Sequence, residues 1–169
     1  MAQDDKAILA RLQQHGVEFV LIGGVCGVMH GAGLVTLDLD ICCRFGAANL
    51  RRLEAALKDL HPWHRLTPNQ LPFELTDALC SSLKNLYLQT DLGKLDCLGD
   101  VKGVGDYDAA LKRSDLFQMS FGAIRMFDLD TLIASKEAAG RDKDQYAVRL
   151  LRVVAEKKQR GQQQAARKS

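Results

Sequence analysis

The stretch Thr36-Leu37-Asp38-Leu39-Asp40-Ile41-Cys42 alternates polar and apolar residues with a period of two. This period is typical of a β-strand, in which successive side chains point to opposite faces of the sheet. We therefore predict a strand whose polar face carries Thr36, Asp38 and Asp40, while the apolar side chains at 37, 39 and 41 point into the core. A rise of about 3.3 Å per residue places the two carboxylates about 7 Å apart on one face.

Two carboxylates at this spacing need a positive charge between them, because like charges held on a rigid element repel each other. A hard divalent cation bound by oxygen ligands is the usual solution, and Mg²⁺ is the natural candidate. A short D-x-D motif also occurs by chance, so a solvated strand face is the alternative interpretation.

A third acid, Asp96, lies in the otherwise apolar segment Leu95-Asp96-Cys97-Leu98. A buried carboxylate requires a partner. If its strand lies beside the strand of Asp38 and Asp40, three carboxylates converge on one spot, which is an arrangement suited to two-metal phosphoryl transfer.

The glycine pair Gly23-Gly24 follows an apolar segment, Val17 to Ile22, that is predicted to be a buried strand. Glycines at a strand end let backbone amides approach a phosphate closely. The spacing Gly-Gly-Val-Cys-Gly does not match the dinucleotide-binding fingerprint. The pair is therefore a candidate phosphate contact of another type.

The remaining segments predict an α/β fold of the α+β type, with a mixed, mostly antiparallel sheet of about four or five strands flanked by helices. A hairpin is expected around Asp91-Leu92-Gly93, and Asp128 is placed to cap a helix. The other predicted helices cover residues 5–15 and 49–60, and the other predicted strand covers residues 123–127. Residues 61–82 hold all three prolines and show no regular period, so they are predicted to be irregular.

The composition predicts one domain. The chain has 169 residues, of which 47% are hydrophobic, and a formal net charge of +2, which suits a single core and leaves room for a local basic patch. We assign residues 1–156 to this one domain. Residues 157–169 are basic and glutamine-rich and are predicted to be a disordered tail.

The cysteines and the apolar segments indicate the compartment. Five cysteines without a C-x-x-C pair fit neither a disulfide framework nor a zinc site, and are expected to be reduced thiols. No apolar segment approaches the roughly 20 residues that span a bilayer. We therefore expect a soluble, cytoplasmic protein without a membrane partner.

The combined pattern resembles the minimal nucleotidyltransferases of the polymerase-beta superfamily, and within them the nucleotidyltransferase toxins of abortive-infection and toxin-antitoxin systems. The resemblance covers residues 17 to about 150. It rests on the following succession of motifs: Gly23-Gly24, His30-Gly31, Thr36-x-Asp38-x-Asp40, Asp96, and Leu132-Ile133-x-x-Lys136-x-x-x-Gly140-Arg141-x-Lys143-Asp144.

The resemblance implies a set of acidic roles. Asp38 and Asp40 would hold two Mg²⁺ ions, and Asp96 would bind the catalytic ion and help to deprotonate an acceptor hydroxyl. The enzyme would move a nucleoside monophosphate from an NTP such as ATP to that hydroxyl.

The resemblance also implies contacts with the nucleotide, from Gly23, Gly24, Thr36, Lys136 and Arg141. For Lys136 the alternative is a solvated helix lysine whose stem covers apolar surface. For Arg141 the alternative is a local ion pair with Asp144. These alternatives remain open at the level of sequence.

Two further expectations concern partners. The favoured acceptor is an RNA, specifically the 3′ hydroxyl of a tRNA-like end, which is implied partly by the resemblance to toxin nucleotidyltransferases and partly by the concentration of basic residues in the last part of the chain. The resemblance to toxins also implies a partner protein such as an antitoxin.

One departure from the family pattern argues for an alternative function, against which the three intact carboxylates argue. Family members often carry an arginine two residues before the threonine, where this chain has Leu34. The alternative is therefore a catalytically silent binding protein, antitoxin-like, that keeps the fold. A glycosyltransferase using D-x-D is disfavoured, because the chain is short and does not begin with a nucleotide-binding βαβ unit.

Overall fold

The computed structural model describes residues 2–168 of the chain. The helices, in chain order, are α1 Asp5–Gln14, α2 Gly23–Met29, α3 Ala47–Leu57, α4 Asp77–Ser82, α5 Tyr107–Lys112, α6 Leu129–Ala139 and α7 Asp142–Lys168. The strands are β1 Phe19–Ile22, β2 Leu39–Cys43, β3 Trp63–His64, β4 Asn85–Thr90, β5 Gly93–Leu98, β6 Asp100–Val101, β7 Gly105–Asp106, β8 Ser114–Met119 and β9 Gly122–Phe127. A 3-10 turn, Lys58–Leu60, extends α3.

The main sheet has seven strands in the order β3-β4-β5-β2-β1-β9-β8. The pairs β2–β5 and β1–β9 are parallel, and the other four pairs are antiparallel. The predicted α+β class with a mixed, mostly antiparallel sheet flanked by helices is confirmed. The sheet is larger than four or five strands because the two-residue β3 and the weakly patterned β8 pair with its edges.

Local signals position the helices that flank the sheet. Asp4 caps α1 by accepting a hydrogen bond from the backbone N–H of Ala7 at 2.9 Å. Asp128 caps α6, as predicted, by accepting from the N–H of Thr131 at 2.7 Å. The left-handed Gly140, with φ of 68°, ends α6 and turns the chain into α7.

The strand predicted from residue 36 begins later, at Leu39. Ile22, the last residue of β1, pairs with Asp40, and the chain then turns away into α2. Residues 36–38 consequently have no β1 neighbour and form a bend before the strand. The prediction that Leu37 points into the core is wrong, since its side chain is 73% exposed.

The segment 61–82 is less irregular than predicted, because it contains β3 and α4. The backbone N–H of His64 donates to Leu71 O at 2.8 Å, and that of Phe73 donates to Pro62 O at 2.8 Å. These contacts return the chain alongside β3 and bring the residue after it, Arg65, against β4.

The C-terminal part of the chain continues α7 to Lys168 rather than forming the disordered tail that the composition predicts. Glutamate, lysine, glutamine, arginine and alanine all have high helix propensity, so a helix that starts on the core can extend beyond it. Residues 157–167 are exposed along this extension. The division of the chain at residue 156 stays a prediction, and Ser169 lies outside the described residues.

No helix within residues 2–168 is both long enough and apolar enough to cross a membrane.

Candidate active site

The three acids singled out in the sequence converge at the centre of the sheet. Parallel pairing of β2 with β5 places Asp40 directly beside Asp96, and Asp38 lies in the bend just before β2. Ligand oxygens of the three carboxylates all lie within 4.8 Å of one another. The arrangement is a compact set of hard oxygen donors.

Burial and mutual repulsion shape the electrostatics of this acid cluster, defined here as Asp38, Asp40 and Asp96. Burial raises the pKa of Asp40 to about 7, with the charges of Asp38 and Asp96 adding to the effect. Burial also raises the pKa of Asp96. Both carboxyl groups therefore favour a nearby positive charge.

The glycine pair at the start of α2 is fitted against the acid cluster. Gly23 has a φ of 69°, and a Cβ atom at this position would collide with the Asp40 carboxylate. A Cβ atom at Gly24 would come within 2.7 Å of the Thr36 Cβ. The backbone N–H of Gly24 donates a hydrogen bond to Asp40. The absence of side chains thus lets the backbone of α2 approach the acids.

Thr36 stabilises the bend before β2 through a hydrogen bond. Its Oγ1 donates to the backbone carbonyl of Asp38 at 2.9 Å. The hydroxyl therefore fixes the conformation of the bend that carries Asp38.

Lys136 and Arg141 share one buried acid. Lys136 Nζ lies 3.3 Å from Asp144 Oδ1, and Arg141 Nε lies 2.6 Å from Asp144 Oδ2. Although burial acts to raise it, the pKa of Asp144 is lowered because hydrogen bonds and charge from the two cations stabilise the carboxylate. The local ion pair anticipated for Arg141 is present.

Both cations also act on the acid cluster. Burial raises the pKa of Asp40 on balance, and the positive charge of Lys136 opposes part of that rise. The pKa of Arg141 is raised first by its hydrogen bonds to Asp144 and further by the charges of Asp40 and Asp38. The lysine is 17% exposed, so it is not the solvated helix lysine of the alternative interpretation, whereas Arg141 is 60% exposed.

No protein-family model and no curated protein matches the sequence. Solved structures do match the fold. The crystal structure of ANT(2'')-Ia in complex with adenylyl-2''-tobramycin superposes with a TM-score of 0.54 at 15% identity, covering 86% of this chain and 83% of that one. The chain has the nucleotidyltransferase fold.

Two further structures agree with this assignment. The solution structure of the antibiotic-resistance factor ANT(2'')-Ia has a TM-score of 0.51 at 15% identity, covering 95% of this chain and 92% of that one. An antigenic nucleotidyltransferase-like protein from Paracoccidioides brasiliensis has a TM-score of 0.51 at 14% identity, covering 88% and 72%. At such identities the likeness shows the fold alone, and the resemblance to toxins stays a prediction.

The sequence analysis missed one residue of this nucleotidyltransferase fold, Arg65. Its guanidinium forms an ion pair with Asp96, and its backbone N–H donates to Tyr87 O at 3.0 Å. The need of a buried Asp96 for a partner was visible in the sequence. The identity of that partner was not visible, because Arg65 lies far from Asp96 in the sequence, in the unpatterned segment 61–82.

His30 and Leu34, two further residues noted in the comparison with the family pattern, contact other parts of the fold rather than the acid cluster. His30 Nε2 lies 2.7 Å from Phe127 O, so the imidazole forms a hydrogen bond with the backbone at the end of β9. Leu34 packs against Gly27 of α2, where an added Cβ would meet its Cδ1 at 2.6 Å. The position that carries arginine in many family members therefore holds apolar packing here.

A cavity of about 730 Å³ lies elsewhere, between α3 and residues 61–74. Its lining includes Trp63 and Phe73 but none of the predicted site residues. The acid cluster is the candidate active site rather than this cavity, because within residues 2–168 it is the cluster that combines convergent carboxylates with a glycine backbone.

Proposed function

We propose that this chain is an enzyme that transfers a nucleoside monophosphate from an NTP to an acceptor hydroxyl and releases pyrophosphate. The observation that carries the proposal is the acid cluster on a nucleotidyltransferase fold: three carboxylates whose oxygens lie within 4.8 Å of one another. Adjacent parallel strands position Asp40 and Asp96, and the bend before β2 positions Asp38. In the reaction the acceptor oxygen bonds to the α-phosphorus as the bond to the pyrophosphate oxygen breaks.

The acid cluster fits Mg²⁺. It offers only hard oxygen donors. The pKa of Asp40 is raised first by burial and then by the charges of Asp38 and Asp96, and a bound divalent cation would offset both effects by stabilising the carboxylate. We propose two ions, both held by Asp38 and Asp40, with Asp96 holding one of them. When bound, such ions neutralise phosphate charge and lower the pKa of the acceptor hydroxyl.

The chain's own residues would bind the triphosphate on the side of α2 and α6. Gly23 and Gly24 allow close approach of the backbone, and Thr36 holds the bend beside it. Lys136 and Arg141 would contribute positive charge, held in orientation by Asp144. A carboxylate oxygen of Asp96 would accept the proton of the acceptor hydroxyl.

For the acceptor we propose an RNA, specifically the 3′ hydroxyl of a tRNA-like end. Support comes from α7, which carries a series of exposed cations: Lys143, Arg149, Arg152, Lys157, Lys158, Arg160 and Arg167. A local basic surface of this kind attracts a polyanion despite a small net charge. The compound bound in the ANT(2'')-Ia crystal structure, adenylyl-2''-tobramycin, carries amines, which such a surface would repel.

The resemblance to toxin nucleotidyltransferases extends the proposal to the cellular setting. We propose that the protein acts in the cytoplasm and that a partner protein, such as an antitoxin, restrains it. Co-expression with candidate partners that relieves growth inhibition by this chain would support the pairing. Growth unaffected by expression of the chain alone would argue against it.

The decisive experiment supplies each labelled NTP in turn, with Mg²⁺, to the purified chain and total cellular RNA. We expect label in small RNAs, released by 3′ exonuclease, and no label with Asp40→Asn or excess chelator. Label in small molecules or protein would overturn the RNA acceptor alone. Nucleotide binding without transfer to any acceptor in RNA or whole lysate would instead favour the silent binding protein.

A further inference from the structure

Arg65 is a cation that lies directly beside the acid cluster, in contact with Asp96. Its side chain is 20% exposed and that of its partner Asp96 is 11% exposed, so their attraction is only weakly screened by water. The guanidinium carbon also lies 6.0 Å from the centre of the Tyr87 ring. Backbone contacts with β4 keep Arg65 at this place on the sheet.

We propose that Arg65 competes with a metal ion for Asp96, so that Asp96 binds metal tightly only when the phosphates of a nucleotide are present. The inference rests on the proposed function, because it concerns the order in which the same site fills. It assigns to Arg65 a regulatory role toward Asp96, distinct from contact with the reacting atoms.

The contact between Arg65 and Asp96 is of a kind that can be displaced. One guanidinium nitrogen, Nη2, meets one carboxylate oxygen, whereas Arg141 meets both oxygens of Asp144. The Nε of Arg65 is buried and has no hydrogen-bond partner among residues 2–168. A guanidinium that keeps a buried donor unsatisfied gains from a second acceptor, such as a phosphate oxygen.

Charge, rather than orientation, is the larger effect of Arg65 on Asp96. Asp96 lies between its sheet partners Asp40 and Tyr87 and is buried, so these neighbours confine its side chain without help from Arg65. A cation in contact with a carboxylate repels a divalent ion bound to that same carboxylate. Removing the charge should therefore strengthen metal binding in the absence of nucleotide.

The negative charge of a bound triphosphate would shift the competition for Asp96 from Arg65 to the metal ion. It attracts the metal ion and offers Arg65 another partner. The metal site at Asp96 would then fill after, or together with, the nucleotide.

The test measures Mn²⁺ binding by electron paramagnetic resonance, with and without a non-hydrolysable NTP analogue. Arg65→Gln removes the charge at similar size, Arg65→Lys keeps it, and Lys94→Gln removes a nearby cation that acts on Asp96 only through its field. Without the analogue we expect Arg65→Gln to bind Mn²⁺ roughly tenfold more tightly than wild type, Arg65→Lys to resemble wild type, and Lys94→Gln to change less. With the analogue, the difference between wild type and Arg65→Gln should shrink.

Unchanged or weaker Mn²⁺ binding by Arg65→Gln overturns the inference, as does an equal effect of Lys94→Gln. Thermal melts establish that each variant folds, and Arg65→Met, which keeps the apolar stem, replaces Arg65→Gln if that variant does not. A wild-type chain that binds no Mn²⁺ under either condition overturns the proposed metal site and this inference together. Tight wild-type binding that is insensitive to Arg65 overturns this inference alone.

Discussion

Asp40 and Asp96, 56 positions apart in the sequence, are direct partners in the parallel pairing of β2 with β5. Residues paired in this way project their side chains from the same face of the sheet. Asp38 joins them from the bend before β2, and the three carboxylates bring their oxygens within 4.8 Å of one another. The proposed chemistry depends on this register, because a one-residue slip would send Asp96 to the opposite face.

The first prediction is that Asp38→Asn and Asp40→Asn each lower transfer at least about a thousandfold while the chain stays folded. Each removes metal-binding charge and leaves the packing of the core unchanged. Steady-state transfer assays and circular dichroism melts measure the two effects. Asp115→Asn, on the exposed β8, is the matched control and should keep full activity. Wild-type transfer that persists in excess chelator would contradict the metal site.

The second prediction uses the raised pKa of Asp40, about 7 against an ordinary value of 3.8. Between these values the folded state binds the proton more tightly than the unfolded state, so the free energy of unfolding falls as pH rises. Asp40→Asn does not lose stability in this way, because asparagine does not ionise. In metal-free buffer it should melt a few degrees higher than wild type at pH 8, since about 1 kcal/mol shifts the melting temperature of a domain this size by roughly 2–4 °C.

At pH 4.5 the advantage of Asp40→Asn should be much smaller, because Asp40 is then already protonated in the folded wild type. Added Mg²⁺ at pH 8 should stabilise the wild type more than the variant. Differential scanning calorimetry at both pH values checks this expectation. Equal melting shifts at the two pH values would show that Asp40 is not the titrating group.

The third prediction is that Gly23→Ala destabilises the chain by about 1–3 kcal/mol and impairs transfer. The added Cβ collides with the Asp40 carboxylate in a backbone conformation with φ of 69° that alanine rarely adopts. Gly33→Ala is the control, since a Cβ there meets nothing within 4 Å. Urea unfolding of both variants gives the comparison, and equal stabilities would contradict the close approach of α2 to the acid cluster.

The fourth prediction is that Lys136→Ala raises the KM for NTP and lowers kcat. A cation near the phosphates stabilises both the bound nucleotide and the charge that develops during transfer. Lys112→Ala, at the exposed end of α5, is the control for loss of a lysine. Kinetics of Lys136→Ala that match wild type would limit Lys136 to its ion pair with Asp144.

The fifth prediction concerns the RNA acceptor. If α7 binds RNA phosphates, the apparent affinity should fall by roughly one power of salt concentration for each phosphate neutralised. Deleting residues 157–169 should flatten this slope and leave Mn²⁺ binding unchanged, because the acid cluster lies on the sheet. A flat salt dependence in the full chain would contradict RNA binding through α7 and leave nucleotidyl transfer as such intact.

Local patterns in the sequence were sufficient for the elements that carry their own signals. Alternation around Asp40 predicted the strand, Asp91-Leu92-Gly93 predicted the hairpin, and Asp128 predicted the start of α6. These signals work because side-chain period, turn chemistry and capping act over a few neighbouring residues. The three candidate acids were also identified at this level, since a carboxylate in an apolar strand is conspicuous.

Only the tertiary structure decided which residues of these elements contact one another. It moved Asp38 out of the strand, because β1 turns into α2 and leaves residues 36–38 without a strand partner in β1. It also brought Arg65 to Asp96, 31 residues away in sequence, through the pairing of an edge segment that has no period of its own. Sequence therefore determined which side chains could do chemistry, and the strand pairing determined which of them touch, because contacts between distant segments depend on packing rather than on local preference.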